Sequence, residues 1–322
     1  MMYLLALGGF VLLFVGGEWL VRGAVTVSRR MGISQLLIGL TVVAFCTSAP
    51  ELLVSLEAAA RGQVDIAVGN VVGSNIANVL LIIGASALIL PIVVRPAELR
   101  RDSLVMFAAI VVLAGLGVLG GIERWQGALM VGVLVVYLWY SYWTEVHDDV
   151  PSAELHVREA EEFKGVTTRV WLGVLELGVG LGALVIGSRM LVNGAEAIAR
   201  EFGVPEAVIG LTLVAIGTSL PELATSVMAA LRGHADVAVG NVVGSNLFNV
   251  LAIVGITAAV QPLPVSTAIA GFDIWVMVGT SALLVFFLLV RGRVGRVAGA
   301  AFLAAYVGYV GILYAGGAAL FA

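Results

Sequence analysis

The chain has 322 residues, of which 61% are hydrophobic and only 12% charged, with a mean hydropathy of +1.08. Water-soluble domains carry about 25% charged residues and fewer than about 50% apolar ones, so this composition specifies an integral membrane protein. A net charge of −4 offers no footing for nucleic acid, and one cysteine, Cys46, excludes an intrachain disulfide framework and a multi-cysteine metal site.

Apolar stretches of about 20 residues, enough to cross roughly 30 Å of hydrocarbon, can be placed ten times. The first, 2–27, lacks the basic start and cleavage site of a signal peptide and is read as a true span. It carries Glu18 and Arg22, four residues apart and expected to pair. Spans follow at 35–60, 65–91, 103–121 and 125–144. The polar stretch 145–169, which opens EVHDDVPSAELHVREAEEFKG, is acidic and reads as a soluble linker, because it lacks the spacing and glycine of a calcium loop. Five more spans occupy 170–199, 206–231, 236–260, 270–290 and 297–321. The fold class is therefore an all-α membrane protein.

Span two contains AFCTSAPELLVS, Ala44 to Ser55, and span seven contains AIGTSLPELATS, Ala215 to Ser226. Both place proline and glutamate in mid-membrane. Proline has no N–H to give, so Pro50 frees the carbonyl of Cys46 and loosens Ala44 and Thr47. Pro221 does the same for Gly217, Ala215 and Thr218. Proline alone would read as a kink, with the neighbouring hydroxyls re-satisfying backbone. The carboxylates decide against that: a charge at the centre of a span costs about 2.5–3.5 kcal/mol even on a lenient scale, so Glu51 and Glu222 read as functional.

Thr47 and Glu51 are four apart and share a helix face, as do Thr218 and Glu222. In the following spans Ser74 and Asn78, and their mirror pair Ser245 and Asn249, keep the same spacing. With Ser48 and Ser219, each half offers a carboxylate, hydroxyls, an amide oxygen and loosened carbonyls. These are hard oxygen donors of the kind Ca²⁺ and Na⁺ take. Asn70 and Asn241 lie on the same stripe and read either as packing residues or as supports for the ligands. Asp65 and Asp236 read as helix N-caps, and Gly69/Gly73 and Gly240/Gly244 as close-packing pairs.

The duplication is extensive. Shifting the chain by 171 residues aligns Gly32–Gly84 with Gly203–Gly255, and 32 of 53 positions are identical. The organisation is then a first five-span repeat, 1–144 with its motif at 32–84, the linker 145–169, and a second five-span repeat, 170–322 with its motif at 203–255. Five is odd, so the second repeat must be inverted relative to the first, an arrangement many secondary transporters use. With the N-terminus outside, twelve Arg or Lys residues fall in inside segments and three in outside ones. This positive-inside bias expects both termini outside and the acidic loop in the cytoplasm.

The doubled pattern G-L-T-x-x-A-x-x-T-S-x-P-E followed by G-N-V-V-G-S-N-x-x-N resembles the alpha-repeats of the sodium/calcium exchangers, within the cation/calcium exchanger superfamily. The resemblance spans essentially the whole chain. It implies ten transmembrane helices in two inverted five-helix repeats, with broken helices crossing around the two glutamates. It implies calcium shared by Glu51 and Glu222 with the Thr47 and Thr218 carbonyls. Sodium would be flanked by Ser48, Ser74, Ser219, Ser245 and the Ala44 and Ala215 carbonyls, with Asn78 and Asn249 facing the middle. No enzymatic activity and no cofactor are implied; the ions are cargo, and the setting is the plasma membrane.

Three positions depart from the family pattern. Cys46 stands for a usual glycine, Asn249 for an aspartate found in several relatives including those that also carry potassium, and Arg189 for an often acidic equivalent of Glu18. A calcium/proton antiporter is the alternative within the superfamily. Its members tend to carry Asn-Ala-Ala before the glutamate, where this chain has more hydroxyls. A passive cation channel is the alternative of a different class, and it would not need inverted repeats.

Overall fold

The computed structural model describes residues 2–31, 34–94, 96–147, 170–201 and 215–320. The described chain is helical apart from two short strand pairs. Helix α1 is Met2–Met31. A bent pair follows, α2 (Leu36–Thr47) and α3 (Ala49–Ala60), with 43° between them. Then come α4 (Val64–Ile89), α5 (Pro96–Val118) and α6 (Arg124–His147). The second half contains α7 (Val170–Glu201), α8 (Ala215–Thr218), α9 (Leu220–Leu231), α10 (Ala235–Val260), α11 (Ile269–Arg291) and α12 (Arg296–Leu320). Among the described residues eight helices are long and apolar enough to cross a membrane, or nine if the bent pair is one span. This is an all-helical, multi-pass membrane protein.

The expected span positions hold within a few residues except at α5, which starts at Pro96 rather than 103. Proline suits a first helical turn, where its missing N–H costs nothing, and hydropathy undercounts that polar turn. One turn further on, Asp102 is buried, accepting from Tyr137 at 2.7 Å and from Arg101 at 2.8 Å. The linker, from 148 to 169, and the start of the seventh span, 202–214, lie outside the described residues.

The breaks sit where the prolines require. Ser48 (φ −81, ψ 1) and Ser219 (φ −87, ψ 4) interrupt the helices, and Pro50 and Pro221 occupy the first turns of α3 and α9. Asp65 and Asp236 are not caps: Gln63 and His234 hold the capping positions, and the two aspartates lie in the first turn, where the helix dipole favours negative charge.

Helices α4 and α10 form the centre, with 72% and 89% of their spans buried, against 17% for α12. Gly240 and Gly244 let α10 lie directly on α2; a Cβ at 240 would come within 2.6 Å of the Leu36 carbonyl. Of the segment equivalent to α2 in the second half, 207–214 lies outside the described residues, and among the described residues nothing lies within 4 Å of a Cβ built at Gly69 or Gly73. Helices α1 and α7 pack along a seven-residue glycine period, Gly9, Gly16 and Gly23 against Gly173, Gly180 and Gly187. They share a separate apolar cluster that includes Leu13, Leu20, Leu177 and Leu184.

The strand pairs tie the halves crosswise. β1 (Ile92–Val93) pairs antiparallel with β4 (Arg293–Val294), and β2 (Gly121–Ile122) with β3 (Leu263–Pro264). β1 and β2 flank α5, whereas β3 and β4 flank α11. The pairing therefore sets these two packed helices antiparallel to each other.

Candidate cation site

At the breaks the two halves exchange partners. Ser48 Oγ donates to Glu222 Oε1 at 3.2 Å, and Ser219 Oγ lies 3.4 Å from both Glu51 Oε1 and Ser74 Oγ. Both glutamates are 1% exposed. Each carboxylate therefore has one oxygen engaged by a serine of the opposite half. Its other oxygen, Oε2 of Glu51 and Oε2 of Glu222, is buried with no hydrogen-bond partner among the described residues. The same holds for Asn78 Oδ1, Asn249 Oδ1 and Ser245 Oγ. Unpartnered buried hydroxyls also occur elsewhere, at Ser103, Ser141 and Ser281 among others, but a buried carboxylate oxygen without a partner in each half calls for a reason.

The spacing expectation, which set Thr47 with Glu51, is reshaped by the break. Thr47 Oγ1 lies 3.2 Å from Asn241 Oδ1 and 3.3 Å from its own chain's Ala44 carbonyl, and Thr218 Oγ1 lies 3.5 Å from Asn70 Oδ1. The Ala44 carbonyl also accepts Ser48 N–H at 2.9 Å. Of the carbonyls freed by proline, that of Gly217 accepts the Ser188 hydroxyl. Ala215 begins α8. Cys46 packs against the apolar cluster between α1 and α7.

Asn78 and Asn249 each open a short π-helical stretch, Asn78–Ile83 and Asn249–Val254. Such wide turns recur at functional sites. The Asn78 amide nitrogen donates to Asn246 Oδ1 at 3.0 Å, while its own oxygen has no partner among the described residues. Asn75 donates to the Met277 sulfur at 3.7 Å. Ser55 and Ser226 carry no spacing signal toward the glutamates, and Asn75 and Asn246 enter the sequence pattern only as members of the G-N-V-V-G-S-N motif. The signal they do carry is duplication: all four lie in the duplicated segments and are identical between them.

No group of three or more His, Cys, Asp or Glu side chains gathers anywhere among the described residues. The donors at the breaks are two carboxylates surrounded by neutral oxygens, which suits hard cations rather than zinc or copper. Away from this centre, Glu18 on α1 accepts from Arg232 at 2.7 Å, tying α1 to the end of α9. Glu57 pairs with Arg61 at the exposed end of α3.

The family profile described as sodium/calcium exchanger protein matches residues 1–143 and 172–315. The chain is 31% identical to the sodium/calcium exchanger MaX1 of Methanosarcina acetivorans, over 97% of this chain and 98% of that protein. It is 34% identical to the inner membrane protein YrbG of Escherichia coli K12, over 95% of this chain and 94% of that one. A solved structure of the sodium-calcium exchanger NCX_Mj, soaked with zero Na⁺ and Ca²⁺, matches with a TM-score of 0.83 at 32% identity, covering 97% of this chain and 100% of that chain.

Proposed function

Because the chain belongs to the sodium/calcium exchanger family, a family of transporters rather than enzymes, we propose that it exchanges Na⁺ for Ca²⁺ across the plasma membrane by alternating access. The observation that carries this reading is the pair of buried glutamates, each bonded through one oxygen to a serine of the other half and left with one unpartnered oxygen. Glu51 and Glu222 would share the calcium ion with the Thr47 and Thr218 carbonyls. Ser48, Ser74, Ser219, Ser245 and the Ala44 and Ala215 carbonyls would serve sodium, and Asn78 and Asn249 would face the middle. The unpartnered oxygens of Ser245, Asn78 and Asn249 support that assignment.

Electrostatics then enforces exchange. The two glutamates together carry two negative charges, which one Ca²⁺ neutralises, and an unneutralised pair is costly to carry through a low-dielectric barrier. Only a loaded site crosses. If three sodium ions balance one calcium ion, one net charge moves per cycle, and the membrane potential contributes about 2.3 kcal/mol per 100 mV. Ten helices in two inverted repeats, 1–144 and 170–322 with the linker 145–169 between them, supply the two access states. The crosswise strand pairing and the antiparallel α5 and α11 support the inversion.

The test is calcium uptake into proteoliposomes under an imposed sodium gradient at clamped pH, followed by an imposed pH gradient at equal sodium. Uptake driven by sodium alone is expected. Uptake driven only by the pH gradient would assign the chain to calcium/proton antiport, and uptake that dissipates without either gradient would make it a channel.

A further inference from the structure

Asn70 on α4 and Asn241 on α10 occupy equivalent positions and make equivalent bonds. Asn241 Nδ2 donates to the Glu222 carbonyl at 3.4 Å and to Ser226 Oγ at 2.9 Å, while its Oδ1 accepts Thr47 Oγ1 from the other half at 3.2 Å. Asn70 Nδ2 donates to the Glu51 carbonyl at 3.2 Å and to Ser55 Oγ at 3.0 Å, and its Oδ1 accepts Thr218 Oγ1 at 3.5 Å. Both donor protons and the acceptor oxygen of each amide are thereby engaged by protein. Asn78 and Asn249 contrast with them, since each keeps an unpartnered oxygen. The Oδ1 of Asn70 and that of Asn241 each already accept a hydrogen bond from the protein, and a group that both donates and accepts is what this bridge requires.

We propose that Asn70 and Asn241 are positioning residues that fix the width of the cation cage. Each ties the backbone of one half's glutamate to the threonine at the other half's break. The proposal rests on the reading of the two glutamates as the calcium site. Two carboxylates on separate helices repel each other, and the threonine ties oppose that separation at the level of the donor carbonyls. A cage of held width discriminates between divalent cations by size. One that gives way accepts a larger ion more nearly as well.

The ties make a pairwise prediction that a merely structural role does not. The full chain is reconstituted in proteoliposomes, and sodium-driven uptake of calcium and of the larger strontium ion is measured. Asn241→Ala is expected to raise the calcium concentration for half-maximal uptake about 10-fold, the usual scale for losing a support behind a metal ligand. Maximal rate per folded protein should fall less, and the preference for calcium over strontium should narrow. Thr47→Val removes the same tie from its other end and should narrow the preference similarly, whereas Thr47→Ser, which keeps the hydroxyl, should restore it.

Combining Asn241→Ala with Thr47→Val should add little beyond either alone, while combining it with Thr218→Val, which cuts the second tie, should multiply the losses. Should Asn241→Ala fail to fold, the Thr47 pair of variants decides. An unchanged calcium-over-strontium preference in Thr47→Val overturns the proposal, as does a multiplicative loss in both double variants. Wild-type protein that carries no calcium down a sodium gradient overturns the underlying reading as well, and is told apart from failure of the ties by that control.

Discussion

Glu51 and Glu222 divide their oxygens between protein and guest, so charge and not merely shape is what a substitution would remove. A carboxamide in place of either carboxylate keeps an acceptor for Ser219 or Ser48 but halves the negative charge. Loss of a supporting residue costs up to about 100-fold in metal affinity, and loss of a direct ligand should exceed that. Glu51→Gln and Glu222→Gln are each expected to abolish sodium-driven calcium uptake, and near-normal uptake by either would remove the glutamates from the site. Asn249 is expected to make the wild type indifferent to potassium, because its amide adds an oxygen without a third charge. Asn249→Asp should introduce potassium stimulation, read as calcium uptake at fixed sodium and varied potassium. Legibility at this scale came from duplication: Thr47, Ser48, Glu51, Ser74 and Asn78 stand out because each recurs 171 residues later. Their partners did not stand out. Spacing of four residues speaks only of neighbours on one helix, and a bond such as Ser48 to Glu222 joins residues that the chain separates by 174 positions.

Helix α10 reaches the breaks because it has no side chains in the way. A Cβ at Gly244 would come within 2.7 Å of the Ala44 Cβ and press on the Leu40 carbonyl, forcing α10 away from α2. Overpacking of this kind costs about 1–3 kcal/mol. Gly244→Ala should therefore lower the thermal midpoint of the detergent-purified protein and weaken calcium uptake, since α2 carries Thr47. Gly132→Ala, on α6 with no neighbour within 4 Å among the described residues, should leave the midpoint unchanged or raise it, by up to about 1 kcal/mol of helix propensity. Equal loss in both variants would mean that close approach is not what Gly244 provides. Sequence patterns located these helices well, because apolar length is written directly in composition. The π turns at Asn78 and Asn249 were silent, since one extra residue in a turn leaves no compositional mark. The early start of α5 was hidden for a related reason: Asp102 and Arg101 look like a loop until Tyr137 closes over them.

The molecule as a whole is proposed to sit with both termini outside, on the strength of twelve basic residues against three. A cysteine placed by Ser152→Cys, with Cys46 replaced, should react with impermeant thiol reagents from the cytoplasmic side alone. Labelling from outside intact cells would reverse the orientation. Loop charges carry the proposed orientation, and the strand pairing supports the proposed inversion of the halves. β1 meets β4 and β2 meets β3, and in the 171-residue register β3 is the counterpart of β1 while β4 overlaps the counterpart of β2. Each joint thus unites the same two kinds of edge. Such self-complementarity is what a dimer of identical, oppositely inserted subunits would need, and it makes the covalent link between the halves dispensable for recognition. Residues 1–147 and 170–322, produced as two separate polypeptides in one cell, should co-purify and restore sodium-driven calcium uptake, while neither fragment transports alone. Fragments that both insert yet never associate would show that fusion, rather than the paired edges, brought the ancestral halves together.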